Sequence, residues 1–220
     1  MSDVFQEVDE EVRRDKAAEF WKKYQNLIFA GVAALVLASA GFRYWQYERE
    51  KAAQAAGDQF RQAIAALDAG KLDEAKAGFA KVAADAPGGY RILAQMASAG
   101  VKAQSDPQGA IAAFDAVADD ASIDPLFRDT ARMRAALLRL GVPGEEQKGE
   151  AALTSLSGAE GPYSRLARLT LGAQALARGD YDDAAKQLDS VLGDPEVSQG
   201  EREFASRWLG LIASNKTAAK

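Results

Sequence analysis

The chain has 220 residues and a mass of 23.4 kDa, enough for one domain of ordinary size and an additional segment. It contains no Cys and no His, which excludes disulfides, metal and haem sites built on those residues, and catalysis by Ser-His-Asp or Cys-His groups. The net charge of −5 disfavours a dedicated nucleic-acid-binding protein, whose surface is usually basic. The composition still permits catalysis by carboxylates or lysine, a metal ion bound by carboxylates, or a binding function without catalysis.

The first predicted element is a transmembrane helix, placed at residues 24–45. No charged residue occurs from Tyr24 to Phe42, and a helix of that length spans roughly 28 Å, close to the ~30 Å hydrocarbon core of a bilayer. Aromatic side chains favour the membrane–water interface, and they flank the apolar run on both sides. The predicted interface residues are Trp21, Tyr24, Arg43, Tyr44 and Trp45, with Phe20 and Tyr47 as further flanking aromatics.

Three other interpretations of this segment compete with an uncleaved anchor. A helix buried in a soluble core is rarely apolar on every face, and an interfacial helix needs a polar face that this run lacks. The triplet Ala38-Ser39-Ala40 has the small-x-small form of a signal-peptide cleavage site. The segment before it, however, is long and rich in Asp and Glu, whereas a signal peptide begins with a short basic region. The uncleaved anchor is therefore favoured.

The orientation of the anchor follows from the Lys and Arg residues on its two sides. Basic residues favour the cytoplasmic side, and acidic residues hardly affect this rule. Five precede the span and three follow it at comparable distance: Arg13, Arg14, Lys16, Lys22 and Lys23, then Arg43, Arg49 and Lys51. We expect residues 1–23 to be cytoplasmic and the C-terminal domain to be translocated, which in a bacterium with two membranes is the periplasm. A chain without Cys suits that oxidising compartment.

Beyond Tyr47 a motif recurs with a period near 35 residues. Its alanines fall at Ala75, Ala110 and Ala184, and each is followed by larger apolar residues four and seven positions later. The second gap is close to two periods, so a degenerate repeat is expected around residues 125–157. The motifs read Gly70-Lys71-Leu72-Asp73-Glu74-Ala75, Asp106-Pro107-Gln108-Gly109-Ala110 and Gly179-Asp180-Tyr181-Asp182-Asp183-Ala184.

This pattern predicts helix hairpins. Gly70 and Gly179 can take the left-handed conformation that ends a helix, Asp106 and Asp180 can cap the next one, and a small alanine allows close helix approach. The arrangement resembles the tetratricopeptide repeat. We therefore predict an all-α fold: an N-terminal transmembrane helix, an α-solenoid of tetratricopeptide-like hairpins over residues 46–215 with a capping helix at its C-terminal end, and a frayed tail over 216–220. The alternative is a non-repetitive, alanine-rich helical bundle.

The sequence offers little for catalysis. The acidic pairs Asp119-Asp120, Glu145-Glu146 and Asp182-Asp183 fall in predicted turns or at exposed helix starts, where carboxylates favour the helix dipole. The run Ala86-Pro87-Gly88-Gly89 is a predicted turn between repeats, and no Gly-Lys-Ser/Thr follows it. We predict no enzymatic activity, no metal, no cofactor, no small-molecule substrate and no nucleic-acid partner.

A binding role is the more natural prediction, because stacked hairpins present the first helix of each repeat along one surface. Such a surface suits an extended peptide or a partner helix. The proposed partner-binding residues are Ile92, Gln95, Lys102, Leu166, Leu169 and Leu176. Packing within the repeat is the alternative role for each leucine.

The order of features along the chain resembles a known family. Phe20-Trp21-Lys22-Lys23-Tyr24, a single span, the exit motif Gly41-Phe42-Arg43-Tyr44-Trp45 and a degenerate repeat domain look like the ancillary subunit of the bacterial Sec translocon. The resemblance implies a non-enzymatic inner-membrane protein, partnered by translocon subunits, the lipid bilayer and a membrane-anchored periplasmic chaperone, that assists emerging proteins. The alternative is an envelope-assembly or cell-division coordinator that binds a cell-wall or outer-membrane partner through the same repeats.

Overall fold

A computed structural model describes the backbone of residues 3–158 and 161–218, and the side chains of residues 21–26, 29–158 and 161–215. Throughout these ranges the regular secondary structure is α-helical, which confirms the predicted all-α class. The helices are α1 (Asp3–Asp68), α2 (Leu72–Asp85), α3 (Gly89–Lys102), α4 (Pro107–Asp119), α5 (Pro125–Leu140), α6 (Glu146–Gly158), α7 (Ser164–Ala177), α8 (Tyr181–Leu192) and α9 (Gln199–Ala218). The side chain of Phe20, a predicted flanking aromatic of the membrane span, lies outside the described residues, as do residues 219 and 220 of the predicted tail.

The chain divides into two compact units, residues 1–54 and 55–220. In the first unit, α1 carries a stretch long and apolar enough to cross a membrane, the one such helix found among the described residues. Its large side chains are exposed, as the 72% and 73% exposure of Leu35 and Leu37 illustrates. That exposure disagrees with the alternative of a helix buried in a soluble core. By length and composition the stretch is compatible with a single-pass anchor.

The described part of residues 55–220 contains four consecutive helix hairpins and a final helix. The hairpins are the end of α1 with α2, α3 with α4, α5 with α6, and α7 with α8; α9 follows. The buried clusters draw their side chains from three consecutive helices, so each hairpin packs against the first helix of the next. This is the packing expected of a repeat array, in which each unit contacts its neighbours.

The predicted turn and cap residues are confirmed in the first, second and fourth hairpins. Gly70 has φ 73° and Gly179 has φ 78°, in the left-handed region that glycine adopts without steric cost. The side chain of Asp106 accepts a hydrogen bond from the N–H of Gly109 at 2.9 Å, and Asp180 accepts one from the N–H of Asp183 at 3.1 Å. Both carboxylates therefore cap the second helix of their hairpins.

The structure also gives the register of the degenerate third repeat. The position held by alanine in the other repeats is Gly149, in α6, and it is buried. A Cβ at Gly149 would lie 3.0 Å from the carbonyl oxygen of Ala136, so an alanine here would need α5 and α6 to shift by a few tenths of an ångström. Leu153 and Leu156 follow four and seven positions later and are buried, like their counterparts in the other repeats.

Helix α9 covers the end of the array in the first-helix position of a fifth unit. It buries Ala205 (0% exposed) and Ile212 (3%), whereas Phe204 and Leu211 remain 41% and 48% exposed. A capping box starts the helix: the N–H of Ser198 donates to the Glu201 carboxylate at 2.8 Å, and the Glu201 N–H donates to the Ser198 hydroxyl at 3.3 Å.

An ion-pair cluster joins α9 to α7. The guanidinium of Arg165 lies 3.5 Å from a carboxylate oxygen of Asp194 and 3.4 Å from one of Glu201. The backbone N–H of Glu196 and the Arg165 charge lower the pKa of Asp194 below its usual value. The Ser198 N–H and hydroxyl, and then Arg165, lower the pKa of Glu201. Carboxylates whose pKa is lowered in the folded state stabilise it above their unfolded pKa and lose this effect as pH falls through the folded value.

Replacing Arg165 by glutamine is therefore expected to destabilise the fold near neutral pH and to have a smaller effect at about pH 3, where carboxylates become protonated. Urea unfolding of both proteins across this pH range measures the difference. Arg61→Gln is the matched control, because Arg61 pairs with Asp58 on the exposed surface of α1, where ion pairs contribute little. A destabilisation by Arg165→Gln that does not change with pH would contradict the electrostatic explanation.

Candidate functional site

A cavity of about 330 Å³ opens on the surface formed by the first helices of the hairpins. We call it the A-helix cavity. Its walls come from α1, α3, α5 and the residue before α7, so it crosses successive repeats. The lining residues are Phe60, Leu93, Met96, Ala97, Leu126, Phe127, Thr130, Arg134 and Tyr163. Apart from Thr130, Arg134 and the Tyr163 hydroxyl, these side chains are apolar.

The same two adjacent positions recur in the first helix of successive repeats: one residue faces this surface and the next is a buried alanine. Each of α3, α5, α7 and α9 has a fully buried alanine at the equivalent position. The residue just before it is turned by about 100° around a helix with 3.6 residues per turn, and it faces outward. The pairs are Leu93–Ala94, Thr130–Ala131, Leu166–Ala167 and Phe204–Ala205, and the three large apolar members are 39%, 42% and 41% exposed.

The polar groups of the A-helix cavity have distinct hydrogen-bonding roles. The Thr130 hydroxyl donates to the carbonyl oxygen of Leu126 at 2.7 Å and lies 2.6 Å from the Tyr163 hydroxyl. Because Thr130 has one proton, Tyr163 is the donor in that second bond, and its oxygen keeps free acceptor capacity. Arg134 lies 6.0 Å from the ring centre of Phe114, and it makes no ion pair among the described side chains.

A second cavity, of about 550 Å³, lies between α2, α3 and α4. Five alanines of α2 and α4 line it, and Gln95 and Lys102 of α3 add polar groups. The ammonium of Lys102 lies 3.4 Å from an Asp106 carboxylate oxygen, so this cation already has a partner. We call this space the B-helix cavity.

The structure does not bring the six proposed partner-binding residues together. Gln95 and Lys102 line the B-helix cavity, whereas Ile92 packs against the cluster that contains Phe114. Leu169 and Leu176 pack against the buried cluster of α7, α8 and α9. Leu166 is exposed at one of the repeated outward positions. Partner binding by these side chains stays a prediction.

Sequence reasoning missed Leu93, Phe127, Thr130, Arg134 and Tyr163. On α3 the difference amounts to one residue: Leu93 faces the A-helix cavity, while the predicted residue Ile92 faces the core. The recurrence of alanine at Ala94, Ala131, Ala167 and Ala205 is a sequence signal that would have found the outward positions.

The predicted membrane-interface residues lie at the two ends of the apolar stretch. Trp21, Tyr44 and Trp45 are exposed by 49%, 68% and 53%, and Arg43 is exposed too. Cations accompany the rings: Lys23 lies 5.4 Å from the ring centre of Tyr24, and the guanidinium of Arg49 lies 4.6 Å from that of Trp45. Amphipathic rings next to cations suit the headgroup region of a bilayer.

Two of the three acidic pairs lie at helix starts, as predicted, whereas the pair Asp119-Asp120 lies at the end of a helix. Asp182 and Asp183 are in the first turn of α8, Glu146 is in the first turn of α6, and Asp119 ends α4. Among the described side chains, no group of three or more Asp or Glu residues converges on a point that could hold a metal ion.

The sequence profile of the tetratricopeptide repeat-like domain matches residues 18–162. The chain belongs to this family. The match begins before the apolar stretch of α1 and ends just before α7, so it covers the first three hairpins, including the degenerate third one. Among curated proteins, none is significantly similar to the chain. Tetratricopeptide-like domains are typically scaffolds for protein–protein interaction without catalytic activity.

Proposed function

We propose that this protein is a membrane-anchored scaffold that binds segments of partner proteins on the surface formed by the first helices of its repeats. The observation that carries the proposal is the A-helix cavity, together with the exposed apolar residues that repeat from Leu93 to Phe204. Scattered exposed leucines are ordinary, but here the equivalent position is a large apolar residue in α3, α7 and α9 and Thr130 in α5, which supports a shared binding surface.

For the topology we propose a cytoplasmic segment over residues 1–23, a transmembrane helix over 24–45 and a periplasmic repeat domain over 46–215, beyond which α9 continues to Ala218. The five basic residues before the span against three after it support a cytoplasmic N-terminus. The protein would then be a single-pass component of a bacterial inner membrane.

We further propose that the repeat domain associates with the Sec translocon and with a membrane-anchored periplasmic chaperone. The support is the sequence resemblance carried by the aromatic and basic residues on either side of the span. The anchor gives this arrangement a physical rationale, because tethering raises the effective concentration of the binding surface near the channel exit. Individual contacts can then be weak and release quickly.

Site-specific crosslinking in living cells tests location and partner together. A photoreactive amino acid at Leu93 or Leu166 is expected to capture translocon subunits, the chaperone or emerging chains. The same residue at Lys186, which is exposed on α8, is the matched control and is expected to capture much less.

Two outcomes would contradict the proposal. Capture of cytoplasmic proteins from both Leu93 and Leu166 would show that the repeat domain faces the cytoplasm, opposite to the proposed orientation. Capture of cell-wall synthases without translocon subunits would favour the envelope-assembly alternative over the translocon.

A further inference from the structure

We propose that the A-helix cavity takes an extended partner segment in which a bulky apolar side chain stands next to an Asp or Glu side chain. This inference rests on the proposed function and names the chemistry that the surface prefers. Its three supports are the charge of Arg134, the hydrogen bonding of Tyr163 and the apolar walls.

The first support is charge complementarity. Arg134 is the single charged residue among those that line the cavity, and it has no carboxylate partner in the described part of the chain. Two other arginines of α5 differ: Arg132 pairs with Asp129 at 2.8 Å, and Arg139 pairs with Glu145 at 3.5 Å. Arg128 also forms no ion pair among the described side chains, but it does not line the cavity. An unpaired guanidinium beside apolar walls favours a carboxylate, which it can bind through two parallel N–H donors.

The second support is the Tyr163 hydroxyl. Since its proton is donated to Thr130, its oxygen can only accept a further hydrogen bond. A partner can therefore supply a hydrogen-bond donor at this point, and the backbone N–H is the donor that nearly every residue of a peptide carries. Backbone N–H groups inside a helix are already bonded within that helix, whereas an extended segment has them free. The hydroxyl thus favours an extended segment over a helix.

The third support is the apolar lining. Phe60, Leu93, Met96 and Phe127 surround about 330 Å³, within the usual size range of ligand-binding pockets. Thr130 and Arg134 are one helical turn apart on α5, so their Cβ atoms lie about 6 Å from each other on the same face of the helix. A side chain that fills the apolar space leaves a neighbouring carboxylate within reach of Arg134.

The test measures binding of terminally blocked, fluorescent peptides to the full chain in lipid nanodiscs, with empty nanodiscs as the blank. The peptides have the same flanking Gly and Ser residues and differ only in a central dipeptide, which is Leu-Glu, Leu-Gln, Leu-Lys or Ser-Glu. The Leu-Glu peptide is expected to bind about fivefold to tenfold more tightly than Leu-Gln, as for a partly exposed charged hydrogen bond, and Ser-Glu to bind weakly. A further peptide contains Leu and a free C-terminal carboxylate but no acidic side chain. It tests whether a terminal carboxylate can replace the Glu side chain.

Three variants assign the effect to the site. Arg134→Gln is expected to abolish the preference for Leu-Glu, and Arg134→Glu to transfer it to Leu-Lys, a reversal that loss of structure cannot produce. Tyr163→Phe is expected to weaken all Leu peptides alike. Arg202→Gln, at an exposed position of α9, is the control and should change nothing; circular dichroism verifies folding.

The outcomes separate this inference from the proposed function. If Leu-Glu, Leu-Gln and Leu-Lys bind equally, or if the free C-terminal carboxylate alone confers tight binding, the acidic-side-chain preference is wrong while binding at the repeat surface stands. If Leu93→Asp leaves the binding of every Leu peptide unchanged, the cavity is not the binding site and the proposed function fails as well.

Discussion

Replacing Phe114 by alanine is expected to lower the free energy of unfolding of the repeat domain by about 3–5 kcal/mol, the range for truncating a buried phenylalanine. The ring is 2% exposed and belongs to the cluster that joins α3, α4 and α5, with Met96 and Ala131 among its members. The loss combines lost apolar burial with the cavity that remains. Urea unfolding of a fragment from Glu48 to Lys220, followed by circular dichroism, measures it.

The position of Phe114 in the array adds a second expectation. Repeat proteins are stabilised by the interfaces between neighbouring units, and this cluster couples the second hairpin to the third. The variant is therefore expected to show a broader unfolding transition as well as a lower midpoint. Phe204→Ala is the control, because Phe204 is 41% exposed and contacts Trp208 at 5.5 Å between ring centres; it should cost no more than about 1 kcal/mol. Equal losses in the two variants would contradict the assigned core.

Replacing Ala184 by leucine is expected to destabilise the fold by about 1–3 kcal/mol through overpacking. Ala184 is fully buried in α8 and packs among Ala175, Leu188 and Ala205, so three more carbon atoms have no space without moving α7 or α9. Chemical unfolding of the same fragment gives the magnitude.

An exposed alanine provides the comparison for Ala184. Ala112 is exposed on α4, so Ala112→Leu is expected to change the free energy of unfolding by less than about 0.5 kcal/mol. If Ala184→Leu behaves like Ala112→Leu, then the small residue does not set the distance between the helices of the fourth hairpin.

The hairpins could be predicted because their determinants are local. Gly70 and Gly179 end a helix through their own backbone conformation, and Asp106 and Asp180 cap the next helix within three residues of themselves. The third hairpin lacks the alanine that marks the register in the other repeats. Gly149 takes its place where α6 approaches α5 closely. Because glycine is unfavourable in a helix interior, the sequence alone does not indicate it at this position.

The candidate site was harder to predict, because its position depends on rotation about a helix axis. Ile92 and Leu93 are adjacent and equally apolar, so composition does not distinguish the one that faces the core from the one that faces the A-helix cavity. The packing of α3 against α4 and α5 decides between them. The same applies to α9, where Phe204 and Ile212 share an apolar pattern but only Ile212 is buried.

By itself, the sequence determined the all-α class, the apolar stretch able to span a membrane, the repeat period and the turn and cap residues. Each of these follows from interactions within a few residues or from composition. Only the tertiary structure decided the register of the third repeat, the helix faces that pack together, and the meeting of Phe60, Arg134 and Tyr163 around one cavity. Those features arise from contacts between helices distant in sequence, where a rotation of one residue exchanges a buried side chain for an exposed one.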